Sequence, residues 1–310
     1  MIELLKLNRA IPFMRYARVT VFFSIALFLL SIGALAFRGL NLGVDFTGGT
    51  IMEVAYPQTA DLGQIRGTLA QAGYADALVQ NFGTSRDVLI RLPVREGLTS
   101  AQLSNQVFDL LRQEDATAEL RRVEFVGPQV GAELLYDGSL ALLVVTAGIM
   151  LYLMFRFEWR FSVGAIVATA HDIVILLGLF ALFQWEFSLT VLAAVLAVLG
   201  YSVNDTVVVF DRIRENFKKM RKATTAEIID WSVTQTLART IILSFTTMLM
   251  VLAMLFFGGE VLFFFALALA IGIVVGTFSS VLVASPIVMW LGVSRADFVK
   301  PEKKEAEQLP

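Results

Sequence analysis

The 310-residue sequence contains no cysteine and a single histidine. The first absence excludes disulfides, thiolate metal sites and a cysteine nucleophile. It carries little information about compartment, because a domain held between membrane helices needs no disulfide staple. The lone His171 argues against a zinc site built from protein side chains. Charge is scarce as well. Only 17% of residues are charged against 57% hydrophobic, too apolar for an ordinary soluble domain of this length. The net charge of −2 offers no basic field for nucleic acid.

What the sequence has instead is long runs of Leu, Val, Ile, Phe and Ala. A helix needs about 20 apolar residues to cross the hydrocarbon core. Six stretches qualify: 18–37, 139–156, 162–183, 187–209, 240–258 and 261–291, the last long enough to tilt or to begin in the interface. The first is flanked by basic residues and lacks a small-residue cleavage site, so it reads as an uncleaved anchor. Lys and Arg near the span ends set the orientation. Lys6, Arg9, Arg15 and Arg18 precede the first span, and Arg156 and Arg160 separate the second from the third. Arg212, Arg214, Lys218, Lys219, Arg221, Lys222 and Arg239 lie between the fourth and fifth. Arg295, Lys300, Lys303 and Lys304 follow the sixth. The opposite turns, around Glu186 and Gly258–Glu260, carry no Lys or Arg. Both termini are therefore expected to be cytoplasmic and residues 38–138 extracytoplasmic.

That outer segment changes character. Val44–Tyr56 reads as a strand with a bulge at Gly48-Gly49. Asp61–Gly73 reads as a helix ending on glycine. Ala77–Phe82 and Asp87–Pro93 read as strands around a hairpin turn at Gly83-Thr84-Ser85. Thr99 caps a helix through Glu114, and Ala118–Phe125 is a last strand. The order β-α-β-β-α-β predicts a ferredoxin-like α+β domain with an antiparallel sheet. Its 13 Asp and Glu against 8 Arg make it a poor match for anionic lipid. The expected fold class is a membrane all-α six-helix bundle with this domain between helices 1 and 2. Its parts are an arm and first span over 1–37, the outer domain over 38–138, the remaining spans over 139–291 and a cytoplasmic tail over 292–310. Within 210–239, Ile213, Phe217 and Met220 alternate with Arg and Lys, which predicts an amphipathic helix facing anionic headgroups. A plain basic turn that obeys the orientation rule is the alternative. Thr224 and Glu227 form a capping box that starts a further helix.

Ionisable residues inside the spans are costly, about 2.5–3.5 kcal/mol each on insertion scales, and they mark a site or a pair. Asp205 lies in the fourth span, His171-Asp172 near the middle of the third, and Arg239 at the entry of the fifth. Asp205 and Arg239 are expected at a common depth and within reach of each other. Tyr201, Ser202, Asn204 and Thr206 beside Asp205, and Thr246 two turns from Arg239, would complete a polar stripe. One reading is a proton site, in which the carboxylate alternates between an Arg-paired and a protonated state. A membrane potential supplies about 2.3 kcal/mol per charge for each 100 mV, the size of a lost pairing. The other reading is a static salt bridge. His171-Asp172 reads as a second relay position or as a packing contact. Small residues recur every fourth position in the sixth span, at Ala268, Gly272, Gly276, Ser280 and Ala284, and admit a closely packed helix from within the chain or from a second one.

Four runs carry a resemblance. Gly43-Val-Asp-Phe-Thr-Gly-Gly-Thr50, Val126-Gly-Pro-Gln-Val-Gly131, His171-Asp172 and the block Gly200-Tyr-Ser-Val-Asn-Asp-Thr-Val-Val-Val-Phe-Asp-Arg-Ile-Arg-Glu-Asn216 resemble the SecF side of the SecD/SecF family of protein-export membrane proteins. The resemblance extends from the N-terminal arm to about Leu291. It implies a resistance-nodulation-division architecture of twelve helices, with SecD supplying the other six. It also implies work beside the SecYEG translocon, often with YajC, in a bacterial inner membrane. There the pair would use proton flow, or Na+ in some relatives, to complete translocation of a preprotein. The family's proton-transport aspartate and arginine fall on Asp205 and Arg239; His171 and Asp172 follow by motif position. No cofactor is implied.

Two other readings remain. A small-molecule or lipid exporter half of the same superfamily would need larger outer domains and a ligand cleft. A membrane scaffold would use the charge pair structurally. An enzyme is not expected, because the outer segment has no histidine and no nucleophile–base arrangement.

Overall fold

The computed structural model describes residues 9–82, 84–95 and 97–298. The expected turn residue Gly83, the basic residues Lys6, Lys300, Lys303 and Lys304, and the end of the tail lie outside the described residues. Six helices among them are long and apolar enough to cross a membrane. A short 3₁₀ turn, Phe13–Tyr16, leads into α1 (Ala17–Arg38).

After α1 the chain forms a two-residue strand, β1 (Asn41–Leu42), then a single helical turn, α2 (Val44–Thr47), then β2 (Gly49–Ala55). The expected strand Val44–Tyr56 is thus divided, and Gly48-Gly49 is a reversal rather than a bulge. The physical reason is local. Gly48 and Gly49 take φ of +72° and +144°, and a Cβ on Gly49 would lie 2.7 Å from the Leu92 carbonyl oxygen. The register shift in β2 falls further on, between Glu53 and Val54.

The rest of the domain between α1 and the next span is built of strands and helices. Asp61 caps α3 (Leu62–Gln71), accepting from the Gly63 and Gln64 amides. The strands β3 (Leu78–Phe82) and β4 (Thr84–Leu92) form a hairpin, but Thr84 and Ser85, expected in its turn, already belong to β4, because Phe82 pairs with Thr84. Thr99 and Gln102 close a capping box on α4 (Ser100–Glu114), and β5 (Glu119–Val126) completes a four-stranded sheet. The strand order is β3-β4-β2-β5, every pair antiparallel. Period-two alternation puts Met52, Val54, Val88, Ile90 and Leu92 on one face, buried with Ile65 and Leu69 of α3 and Leu103, Val107 and Leu111 of α4. Burying each such side chain contributes about 1.5–3 kcal/mol.

The remaining spans are α5 (Pro128–Arg156), α6 (Trp159–Phe183), α7 (Leu189–Lys219) and α8 (Thr225–Phe257), followed by α9 (Gly259–Ser279). The last span continues through a π-helical turn, Ser280–Ala284, into α10 (Ser285–Trp290). Pro286 has no N–H to give the Leu282 carbonyl, and the Thr20 hydroxyl of α1 reaches that oxygen at 3.4 Å. Between α6 and α7 a strand β6 (Glu186–Phe187) pairs in parallel with β1.

The expected amphipathic helix is not a separate element. α7 runs unbroken to Lys219, and Ile213 and Phe217 are fully buried in one apolar cluster with Ile228, Ile229 and Val293. Asn216 adds hydrogen bonds to Ser232 and Gln235 of α8 at 2.8 and 2.9 Å. The apolar stripe faces protein because α8 starts early, at the Thr224–Glu227 capping box, and folds back alongside α7.

Candidate functional site

Among the described residues three aspartates of the helices are buried: Asp230 of α8 accepts from the Met14 N–H at 2.8 Å, while Asp172 and Asp205 are held by hydroxyls from neighbouring helices. Asp172 of α6 is 1% exposed. Its Oδ2 accepts from Ser202 of α7 at 2.5 Å and from Ser279 of α9 at 2.7 Å. Its Oδ1 lies 3.0 Å from His171 Nδ1, and the other ring nitrogen of His171 meets the Ser24 hydroxyl of α1. Phe28 stacks on the imidazole with ring centroids 6.1 Å apart. Asp205 of α7 is 9% exposed. Its Oδ1 accepts from Thr240 of α8 and its Oδ2 from Ser280, each at 2.6 Å.

The sequence dictates this convergence locally. Ser202 and Asp205 are three residues apart and share a face of α7. Ser279 and Ser280 are consecutive, so they point in different directions and reach different carboxylates. Close approach of the last span to α7 depends on the expected small-residue stripe. A Cβ on Gly272 would collide with Val198, and one on Gly276 would lie 3.1 Å from Ser202 Cβ. Ser280 of that stripe ligates Asp205, and Ala284 lies against Gly164 of α6. The stripe packs the chain against itself.

The expected Asp205–Arg239 pair is absent among the described residues. Arg239 is exposed, while its neighbour Thr240 is buried and bonded to Asp205. Successive helical side chains diverge by about 100°, so only one of the two can face α7. The polar stripe divides in the same way. Ser202 and Thr206 are buried, Thr206 donating to the Ser202 carbonyl. Tyr201 is half-buried and donates to Ser244 at 2.9 Å, and Ser244 lies 2.9 Å from Thr277. Asn204 and Thr246 are exposed, Thr246 donating to the Ile242 and Leu243 carbonyls of its own helix. Ser24, Thr240 and Ser279 were not singled out by sequence, because hydroxyls are common in apolar helices and carry no periodic signal of their own.

Among the described residues no Lys or Arg lies against either carboxylate, and only Asp172 has a ring nitrogen, that of His171, beside it. Each hydroxyl donates one proton and can rotate it away, so the hydrogen bonds to the two acids can be remade without moving the backbone.

At the end of the bundle that carries the sheet, a cleft of ≈ 570 Å³ lies between the open sheet face and the helix tips, lined by Asp45, Glu53, Arg91, Arg122, Glu186 and Phe264 among others. Arg91 of β4 forms an ion pair with Glu186.

Comparison with known proteins places the whole. Residues 106–294 match the family described as Protein export membrane protein SecD/SecF, C-terminal, and residues 33–60 match the SecD/SecF GG Motif. The chain is 48% identical over 297 residues to the protein translocase subunit SecF of Pseudomonas aeruginosa, covering 95% of this chain and 96% of that one. It is 48% identical over 310 residues to the SecF of Vibrio alginolyticus, covering 99% and 98%. It superposes on the crystal structure of SecDF, a translocon-associated membrane protein, from Thermus thermophilus with a TM-score of 0.83 and 37% identity. That match covers 93% of this chain and 39% of the SecDF chain. A second SecDF structure, in the Super-membrane-facing form, gives 0.70 at 38% identity, over 93% of this chain and 40% of that one. With its six apolar helices this is a multi-pass membrane protein, and it belongs to the SecD/SecF family of protein-export membrane proteins.

Proposed function

We propose that the chain serves as the SecF subunit of a bacterial protein-export machinery. With SecD it forms a twelve-helix bundle in the cytoplasmic membrane and uses the proton-motive force to complete translocation of preproteins delivered by SecYEG, with YajC as a further partner. The observation that carries this reading is the exposed polar face of the α7–α8 pair. Arg239 and Asn204 point away from the chain's own core within helices that cross the membrane. Lipid tolerates such groups poorly, so they call for a second bundle against that face. The 39% share of the SecDF chain leaves room for such a half.

Orientation follows from charge. Arg15, Arg18, Arg156, Arg160 and the basic end of α7 lie at the end of the bundle opposite the sheet domain, which is then cytoplasmic. The sheet domain is extracytoplasmic, where an emerging polypeptide is met. Asp205 is the coupling carboxylate, with Asp172 and His171 as a second relay position. Arg239 acts across the interface with SecD rather than as an internal partner of Asp205.

The test is Asp205→Asn in vesicles that contain the chain with SecD, with proton-driven export as the readout. Asn keeps the size and one acceptor but cannot carry the proton. Export is expected to fall to the undriven level at normal expression, and undiminished export would sink the proposal. Restoration of native export by Na+ instead of a proton gradient would reassign the coupling ion.

A further inference from the structure

The run Gly43–Thr50 holds neither buried carboxylate, yet three parts of the molecule meet on it. The first is the start of α7. Asp45 Oδ2 accepts from the Leu189 backbone N–H at 2.9 Å, which places a carboxylate on the positive end of that helix. The Gly43 N–H donates to the Phe187 carbonyl at 2.9 Å, and the Phe46 ring stacks on Phe187 with centroids 5.9 Å apart. The second is the outer sheet. β2 begins at Gly49, directly after this turn, and is a central strand bonded to both β4 and β5. Arg91 of β4 ties the sheet a second time to the same place through its ion pair with Glu186. The third is α5. A Cβ on Gly131 would lie 2.9 Å from both the Gly48 nitrogen and the Phe46 oxygen, so the helix backbone is packed directly on the turn.

α7 is the helix that carries Asp205, 16 residues after Leu189, or about 24 Å along the axis. It is unbroken over that distance and stiff along its length. A change of partners at Asp205 that shifts α7 therefore arrives at Leu189, where Asp45 is waiting. The helix does not need Asp45 in order to form, because Ser188 supplies its own N-cap to the Val191 amide at 3.4 Å. The Asp45 contact is thus surplus to local folding and joins two bodies that are far apart in sequence.

We propose that Asp45 is a positioning residue that couples α7, and through it Asp205, to the outer sheet. The proposal rests on the reading of Asp205 as the coupling carboxylate. It gives the outer domain a defined lever, since a shift of α7 pulls the turn that begins β2.

The experiment uses the full chain with SecD in membrane vesicles and two readouts: ion-driven export, and hydrogen exchange over residues 41–55. In the native background, Asp205→Asn is expected to change exchange over 41–55. In an Asp45→Ala background that response is expected to vanish, while thermal stability and co-purification with SecD persist. Export by Asp45→Ala is expected to fall about fivefold or more, the lower end of the usual coupling between two sites. Asp45→Asn, an equally good cap acceptor, is expected to restore most of it. If export depends on Asp205 but the exchange response survives in Asp45→Ala, the inference fails and the functional reading stands. If Asp205→Asn exports normally, both fail. If Asp45→Ala loses stability together with export and Asn does not rescue it, the residue is merely structural and the inference is overturned.

Discussion

Ser279 and Ser280 are adjacent in the chain, yet they bond to different carboxylates: Ser279 donates to Asp172 at 2.7 Å and Ser280 to Asp205 at 2.6 Å. They stand where α9 passes into the π-helical turn, a irregularity often found at functional sites. A small rotation of this segment changes the donors of both acids at once.

This linkage predicts a coupled response. Removing a hydroxyl that donates to a buried charge costs about 1–3 kcal/mol. Ser279→Ala and Ser280→Ala are each expected to lower ion-driven export about fivefold or more. The double variant should deviate from additivity, since the two sites share one element. A double-mutant cycle on export rate checks this, and strict additivity would mean that the two acids work independently.

Gly131 tests the joint between α5 and the glycine-rich turn. Its Cβ would meet backbone, not a flexible side chain, so the neighbours cannot simply rotate away. Gly131→Ala is expected to destabilise the protein by about 1–3 kcal/mol, the usual cost of overpacking. Thermal unfolding in detergent measures it; an unchanged midpoint would show that the turn yields.

Phe217 distinguishes a packed helix end from a lipid-facing one. It is 1% exposed and its ring lies 5.4 Å from that of Phe298. Phe217→Ala is expected to cost about 3–5 kcal/mol by leaving a cavity. A headgroup-facing residue would instead leave unfolding nearly unchanged, and that outcome would contradict the packing described above.

Tyr56 sets an alkaline limit on the sheet domain. Burial, reinforced by the negative charges of Asp115 and Glu114, pushes its phenol from the ordinary 10.0 up to about 12. The folded domain therefore holds this proton more tightly than the unfolded chain does. Its contribution is fully present below pH 10 and is lost as the pH rises through about 12. Denaturant unfolding from pH 9 upward, a range set by the ordinary tyrosine value of about 10, should show stability falling in the native domain and a flatter profile in Tyr56→Phe. An identical slope in both would remove Tyr56 as the cause.

Much of the architecture is legible because its signals are local. The apolar runs fix the six spans, since lipid demands internally satisfied backbone over a set length. Thr99 and Thr224 announce helix starts through their own side chains, and both capping boxes are present. The turn at Gly48-Gly49 was less legible. A strand and a helical turn followed by a strand share the same apolar spacing over so few residues, and contact with Leu92 and Pro128 decides between them.

The sequence by itself determined the membrane class, the order of elements in the sheet domain and which acids lie within the apolar spans. Those follow from composition and from periods of two and 3.6 residues. Only the tertiary structure decided who partners those acids. It set Ser280 and Thr240 against Asp205, turned Arg239 outward, and placed Ser279 on Asp172. The physical reason is that a helix presents one residue inward where its neighbour in sequence faces away. Which of the two is inward depends on how the helices are rotated against one another, and that rotation is set by close contacts such as Gly272 on Val198, distant in sequence and without a local signature.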